Sequence, residues 1–413
     1  MSMWSWTSFR GKPWRAALLV GGACLCFVCL RLAANGFNPS VFVLAGDAYS
    51  DSARLPAGFL VRCGSAGYDG QFFYRLARDP FTSQENAHGV RLDHPAYRHQ
   101  RLGYPFFAWA LSLGAPTLTP WTLLLVNLLA AALAAGFAAG LILRGDGPKR
   151  QELAGLAALS IGLYPGLLQS LARDLSEPSS IALLLAGLYA LRGKEKRRFA
   201  WAGVCFSAAA LCRETTLVLP LAGLGLGLSD RFLDQRQSRL RGQGRATPLG
   251  CFLAPLLVTA AWQLCLWALW GKPGVLAGGP SNLGPPGLGL VKALTGAVSL
   301  PPASLGLYLL ELGFLALVGW ASFSLVLARA DRLLSAAWVV SALLLLCLTD
   351  AVWREGWAFL RAASEWFVFS LLLIAQSEGT RTKQTPRARV VLVFASGLGL
   401  WLLLFFKIAL RPD

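Results

Sequence analysis

The chain has 413 residues, 55% of them apolar and only 14% charged, with 38 Lys and Arg against 21 Asp and Glu for a net charge of +17. A soluble domain carries about 25% charged residues, so this composition reads as a multi-pass membrane protein. It excludes a cytosolic enzyme, a secreted disulfide scaffold and a disordered tail. The positive balance is the Lys/Arg excess of cytoplasmic loops, and no nucleic-acid partner is implied, because no basic stripe with interleaved aromatics accompanies it.

Arg10, Lys12 and Arg15 precede the apolar run 16–34. A signal peptide has a similar outline, but no small-x-small cleavage site precedes the polar flank. The run therefore reads as an uncleaved first span with the N-terminus in the cytoplasm. A polar segment, 35–101, follows on the outer side. The next run, 102–118, contains Pro105 and Pro116 and either crosses the membrane or lies along its outer surface. Surface placement lets the later basic loops alternate consistently. The N-terminus, 144–150, 192–198, 229–248, 329–332 and 376–389 then hold 22 of the 38 basic residues on the inner side, as the positive-inside rule requires.

The expected fold is all-α and polytopic, a single transmembrane domain over 1–413. It has about eleven spans, at 16–34, 121–143, 153–171, 179–191, 199–212, 214–228, 249–271, 304–328, 333–349, 357–375 and 390–410. An extracytoplasmic first loop, 35–120, carries interfacial helices, and the Gly/Pro-rich stretch 271–303 forms a second outer loop. The runs 199–212 and 214–228 fall short of the roughly 17–25 residues of a crossing and read as short, broken or re-entrant helices.

Eight of the nine Cys lie in apolar runs, including Cys24, Cys26 and Cys29, and only Cys63 lies in a polar segment. No disulfide framework or zinc site follows. The acids are distributed more tellingly. Seven (Asp146, Glu152, Glu195, Asp230, Asp234, Asp331 and Glu378) fall in inner loops, and the other fourteen fall outside. Several of the outer acids stand beside Arg at span ends: Arg173-Asp174 with Glu177, Arg213-Glu214, Asp350, Arg354-Glu355, and Arg361 with Glu365. Arg31 and Glu311 are charges within spans, near their outer ends. Ionisable groups next to hydrocarbon face partners or a watery cavity. The choice is between Arg–acid pairs that staple helix ends and a shared cavity, and clustering at one face favours the cavity.

In the first loop, Tyr68 to Pro80 has helical spacing, with Phe72, Phe73 and Leu76 on one side and Arg75 and Arg78 on another. That pattern suits an amphipathic helix lying on the membrane. Asp69 would either cap this helix or stand free as a base at the interface. Further on, Asp93, Tyr97, Arg98 and Arg101 precede the interfacial run. Their Arg forks suit phosphate oxygens, or they snorkel at the headgroups. His88, His94 and His99 match no fixed metal spacing. A divalent metal is compatible with the segment but not indicated, and no other cofactor is called for.

Tyr68-Asp69-Gly70-Gln71-Phe72-Phe73-Tyr74 resembles the Trp-Asp-Gly-x-x-Tyr/Phe element of GPI-anchor mannosyltransferases. Those enzymes belong to the GT-C superfamily of polytopic glycosyltransferases. The longer pattern adds Asp93-x-Pro95-x-Tyr97-Arg98, Arg101, Tyr104-Pro105, Arg173-Asp174 with Glu177, Arg213-Glu214-Thr215, and Arg354-Glu355 with Arg361. It looks like bacterial membrane proteins of cell-surface glycopolymer formation, over about residues 35–375.

The resemblance implies an inverting glycosyltransferase of the cell inner membrane. Its sugar donor would be linked to a polyprenyl phosphate in the bilayer, and its acceptor would be a glycan or a lipid-linked glycan on the extracytoplasmic face. Asp69 would be the base. Relatives carry an acidic pair soon after the first span, where this chain has Asp47 and Asp51, so Asp47 remains an alternative, and Asp93 is a further catalytic candidate. Arg98, Arg101, Arg173, Arg213, Arg354 and Arg361 would bind donor phosphate. Tyr68, Gln71, Tyr74, Tyr97, Asp174, Glu177, Glu214 and Glu355 would support them. The competing functions are a transporter or flippase for lipid-linked sugars and a non-catalytic scaffold for envelope assembly.

Overall fold

The structure, a computed structural model, describes residues 12–144, 148–237, 249–278, 282–377 and 386–410. The basic N-terminus and much of the loops 144–150, 229–248 and 376–389, on which the expected orientation leans, lie outside the described residues.

Helices dominate, and among the described residues strands occur only as two-residue pairs in the first loop. Among the described residues, six helices are long and apolar enough to cross a membrane: Pro13–Ala34, Thr119–Leu143, Leu153–Leu171, Gly250–Trp270, Pro302–Leu327 and Arg387–Ala409. Gly356–Ala362 and Ser364–Gln376, bent by 56° at the break between them, make a seventh if they form one broken span. This is fewer than the eleven expected. Glu177–Leu191, Arg198–Cys212 and Arg332–Leu346 have only fifteen residues each. At 1.5 Å per residue such helices are about 22 Å long, under the roughly 30 Å of a hydrocarbon core. The run 214–228 opens with a 3-10 turn, Glu214–Leu217, before the helix Val218–Gln237 begins.

Small side chains hold the bundle together. Ala130, Ala131, Ala134, Ala135, Ala138 and Ala139 are buried on Thr119–Leu143, against Ala16, Val20, Cys24 and Phe27 of the first helix. Such residues let backbones approach where burial from water no longer drives association. On the opposite side of the same helix, Leu125, Leu129 and Leu133 form an exposed stripe at i, i+4 and i+8. Exposed apolar stripes of this kind call for a lipid surround.

The first loop folds as a second, smaller core. Phe72, Phe73, Tyr74 and Leu76 of Asp69–Arg78 are buried with Val43, Val90, Leu92, Tyr104 and Leu123. The expected membrane-lying amphipathic helix is therefore corrected. Every residue from Gly70 to Ala77 is buried, Arg75 included, and Arg75 donates to the Thr82 hydroxyl at 2.8 Å. The loop is long enough to wrap both sides of the helix, so its polar face meets protein. The interfacial run forms Gly103–Ser112, which ends at Leu113 in a left-handed conformation (φ +50°), too short for a full crossing. The 271–303 stretch carries the helices Gly274–Ala277 and Leu288–Ala297.

Candidate functional site

Glycines and one glutamine place the Tyr68-Asp69 corner. Gly67 has φ +65°, and a Cβ there would lie 2.5 Å from Gly46 N, so only glycine fits the close approach of the two turns. At Gly70 a Cβ would lie 2.5 Å from Arg173 O, which packs the helix start onto the 165–177 segment. Gln71 accepts from Gly46 N at 3.1 Å and from the Ser50 hydroxyl at 2.9 Å, and donates to Ala66 O at 2.8 Å. Its role is to clamp the corner. Tyr74 lies in the loop core, its ring centroid 4.9 Å from that of Phe59.

Asp69 is the first residue of its helix, with Tyr68 at the cap position, so of the two alternatives, cap or free base, the cap does not hold. Its Oδ1 accepts from Arg98 at 2.7 Å, while Arg98 also grips both oxygens of Asp93, at 2.6 and 2.7 Å. The guanidinium lies 4.2 Å from the Phe72 ring centroid. Burial alone would raise Asp93, but the Arg98 hydrogen bond and charge outweigh it and hold the carboxyl below its usual range. Arg101 makes a two-point pair with Glu214, at 2.6 and 2.9 Å, beside the Tyr97 hydroxyl. Asp69, Phe72, Phe73, Tyr97, Arg98 and Arg101 enclose a recess of only about 10 Å³, room for one water at most.

A second knot joins the first loop to the later helices. Glu177 Oε1 receives Arg361 at 2.7–2.8 Å and also Arg213, and Arg361 in turn donates to the Tyr68 hydroxyl. Arg213 reaches Glu365 at 3.4 Å, and Thr215 donates to the same carboxylate at 2.7 Å. Burial pushes the Tyr68 phenol up to about 12, with Arg361 opposing. Asp47 lies elsewhere: its oxygens accept from Gly64 N at 2.7 Å and Ser65 N at 3.0 Å. Those bonds hold its carboxyl below the usual range and make it a turn brace.

Beyond the Tyr68 ring lies the main cavity, about 830 Å³. Its polar lining comprises Arg31, Arg62, Arg173, Arg354 and Lys407, with Glu311 and Glu355 as its carboxylates. Apolar walls come from Leu300 and Leu307 on one side and Leu404 and Ile408 on another. Four of the six long helices contribute to the lining, each near one end: Arg31 near the end of Pro13–Ala34, Gln169 near the end of Leu153–Leu171, Ser304 to Glu311 near the start of Pro302–Leu327, and Leu404 to Ile408 near the end of Arg387–Ala409.

Arg173 is the distinctive cation there. It forms no ion pair with any carboxylate among the described residues; it donates to the Gln169 carbonyl at 3.2 Å and to the Gln169 side chain, and lies 5.3 Å from the Trp357 ring centroid. Burial brings its guanidinium down to about 10, with Tyr68 opposing and Arg361, Arg31 and Arg62 adding to the fall. It is still a cation at neutral pH, surrounded by other cations. Burial raises the Glu355 carboxyl, with Arg173 opposing.

The expected site residues therefore divide. Arg173, Arg354 and Glu355 line the main cavity. Asp69, Arg98 and Arg101 line the small recess, and Tyr68, Glu177, Arg213 and Arg361 form the wall between. Asp174 is sealed at 0% exposure with neither carboxylate oxygen hydrogen-bonded. The cavity adds Arg31, Arg62, Gln169, Glu311, Trp357 and Lys407. Arg31 and Glu311 were visible beforehand as charges inside apolar runs, whereas Gln169 and Trp357 carried no signal. Among the described residues, no group of three or more His, Cys, Asp or Glu gathers to hold a metal. His99 instead lies buried, with Nε2 2.6 Å from Pro80 O and the Trp270 indole donating to Nδ1 at 3.2 Å.

No protein-family model matches the chain, and no curated protein matches it. Among solved structures, it is similar to the Archaeoglobus fulgidus oligosaccharyltransferase, determined with a tethered acceptor peptide containing the NVT sequon. The identity is 16% and the TM-score 0.44, over 98% of this chain. The chain spans 56% of the length of that enzyme.

Proposed function

We propose that the protein is a membrane glycosyltransferase, moving a sugar from a polyprenyl-phosphate-linked donor to an acceptor hydroxyl of a glycan or lipid-linked glycan. The reaction takes place at the membrane face that carries the first loop, taken as the extracytoplasmic side of the inner membrane. The observation that carries this reading is Arg173: a guanidinium without a carboxylate partner, on an 830 Å³ cavity with five cationic and two acidic side chains. An excess of cations lining one cavity calls for an anion. The leucine walls from span ends suit a substrate that is part lipid and part phosphate, and the Arg fork matches phosphate geometry.

In this reading the cavity holds the donor phosphate at Arg173, with Arg31, Arg62 and Arg354, the last paired with Asp350 at 2.5 Å, also lining it. The long helices that line the cavity do so near one end, which favours reaction at one face over passage through the bilayer, as a transporter or flippase would require.

The test is a strain lacking the protein. Its lipid-linked sugars should accumulate and its surface glycan should lose a component, with both defects reversed by wild type and not by an R173Q variant produced at the same level. Unchanged lipid-linked sugars and glycan in the deletion strain would sink the enzyme reading.

A further inference from the structure

Resting on that reading, we propose that Glu355 is the group that takes the proton from the acceptor hydroxyl, in place of the first-loop carboxylates Asp69 and Asp47. The acids of this face are otherwise engaged or out of reach. Asp69 and Asp93 share Arg98, and Asp69 borders a recess of about 10 Å³, too small for a sugar. Asp47 spends both oxygens on backbone N–H groups. Glu214 is paired with Arg101, and Glu177 and Glu365 with arginines of the wall. Asp174 has no exposure at all.

Among the described residues, the cavity lining contains two carboxylates, Glu311 and Glu355. Glu311 is pressed against the chain: a Cβ on Gly356 would lie 1.6 Å from its Oε2, and the residue is only 4% exposed. Glu355 is exposed to the cavity. It occupies the cap position of Gly356–Ala362 yet makes no side-chain capping bond; its backbone carbonyl alone receives Ala358 N and Phe359 N. Its carboxylate is therefore spared for another use, on the same cavity as Arg173 and Trp357. Burial also raises its proton affinity, which a general base near neutral pH needs.

The step balances without a redox partner. The acceptor oxygen forms a bond to the anomeric carbon as its proton passes to a Glu355 oxygen. The bond from that carbon to the phosphate oxygen breaks, and its electron pair stays on the phosphate, facing Arg173. Glu355 then releases the proton to water. Asp69 is left with a positioning role, holding Arg98 and the Tyr68 corner of the wall.

The test uses full-length protein in membranes supplied with the lipid-linked sugars that accumulate in the deletion strain. E355Q should lower the transfer rate by about a hundredfold or more, leave the KM for donor close to wild type, and remove the acidic limb of the pH profile; E355D should restore part of the rate. Exposed Cys63 borders the same cavity and reports folding and occupancy. A polyprenyl phosphate without sugar should slow maleimide labelling of Cys63 equally in wild type and E355Q. Transfer by E355Q within a few fold of wild type overturns the assignment alone. Wild-type membranes that transfer nothing from these donors overturn the enzyme reading and the assignment with it.

Discussion

The carboxylate of Asp69 is held 2.7 Å from the guanidinium of Arg98, 29 residues further along the chain, and the same guanidinium grips Asp93 through both oxygens. One cation thus neutralises two acids that the chain places in separate turns of the first loop. Replacing it with Met leaves both carboxylates partly buried and unpaired, which should cost about 3–5 kcal/mol of stability. R98K should recover only part, since an ammonium keeps the charge and loses the planar fork. Thermal melting of the purified variants checks the order wild type, R98K, R98M; equal melting of all three would contradict it.

The Glu177 knot is deeper. Its carboxylate is 1% exposed and serves both Arg213 and Arg361. E177Q should destabilise by about 3–5 kcal/mol, because it leaves Arg361 buried without an acid. Adding R361M to E177Q should return part of the loss, which a double-mutant cycle of melting temperatures would measure. Strictly additive losses would mean that the two residues do not act as a pair.

Asp174 makes the opposite prediction. Its left-handed backbone (φ +47°) also suits asparagine, and its oxygens have no hydrogen-bond donors. Burial raises its carboxyl far above the ordinary range, so the folded protein keeps a proton that the unfolded chain releases above about pH 4. Folding then takes up a proton, and this group's contribution falls as pH rises. D174N removes that linkage. It should be more stable than wild type at pH 7, with the difference shrinking towards pH 4. Melting curves of both proteins across pH 4–8 test the slope, and parallel curves would refute it.

The membrane character of the chain and the approximate positions of its long helices were legible without a structure. The helices Thr119–Leu143 and Pro302–Leu327 correspond to runs recognised from apolarity alone. Helix lengths at the weaker runs were not. In Glu177–Leu191 and Arg198–Cys212, neighbouring helices cover residues that a hydropathy profile assigns to lipid, such as Leu185 and Phe206. Burial against protein and burial in lipid favour the same side chains, so hydropathy cannot separate them. The first-loop helix misled for a related reason. Arg75 looked like the polar side of a surface helix, yet it is fully buried: one of its nitrogens donates to the Thr82 hydroxyl and the Gln84 carbonyl, and the other two have no partner.

Composition and local pattern alone determined that this is a polytopic helical protein and that its Arg and acids gather around the first loop and the span ends. These properties follow from side-chain solvation and from backbone sterics over a few residues. Only the tertiary structure decided which charges neutralise one another. Arg98, Arg101, Arg213 and Arg361 found acids from 5 to 184 positions away, whereas Arg173 faces the cavity without one among the described residues. A lone Arg and a paired Arg are identical in sequence. Their difference arises when packing brings distant segments within hydrogen-bond reach, where the energy of an ion depends on what surrounds it.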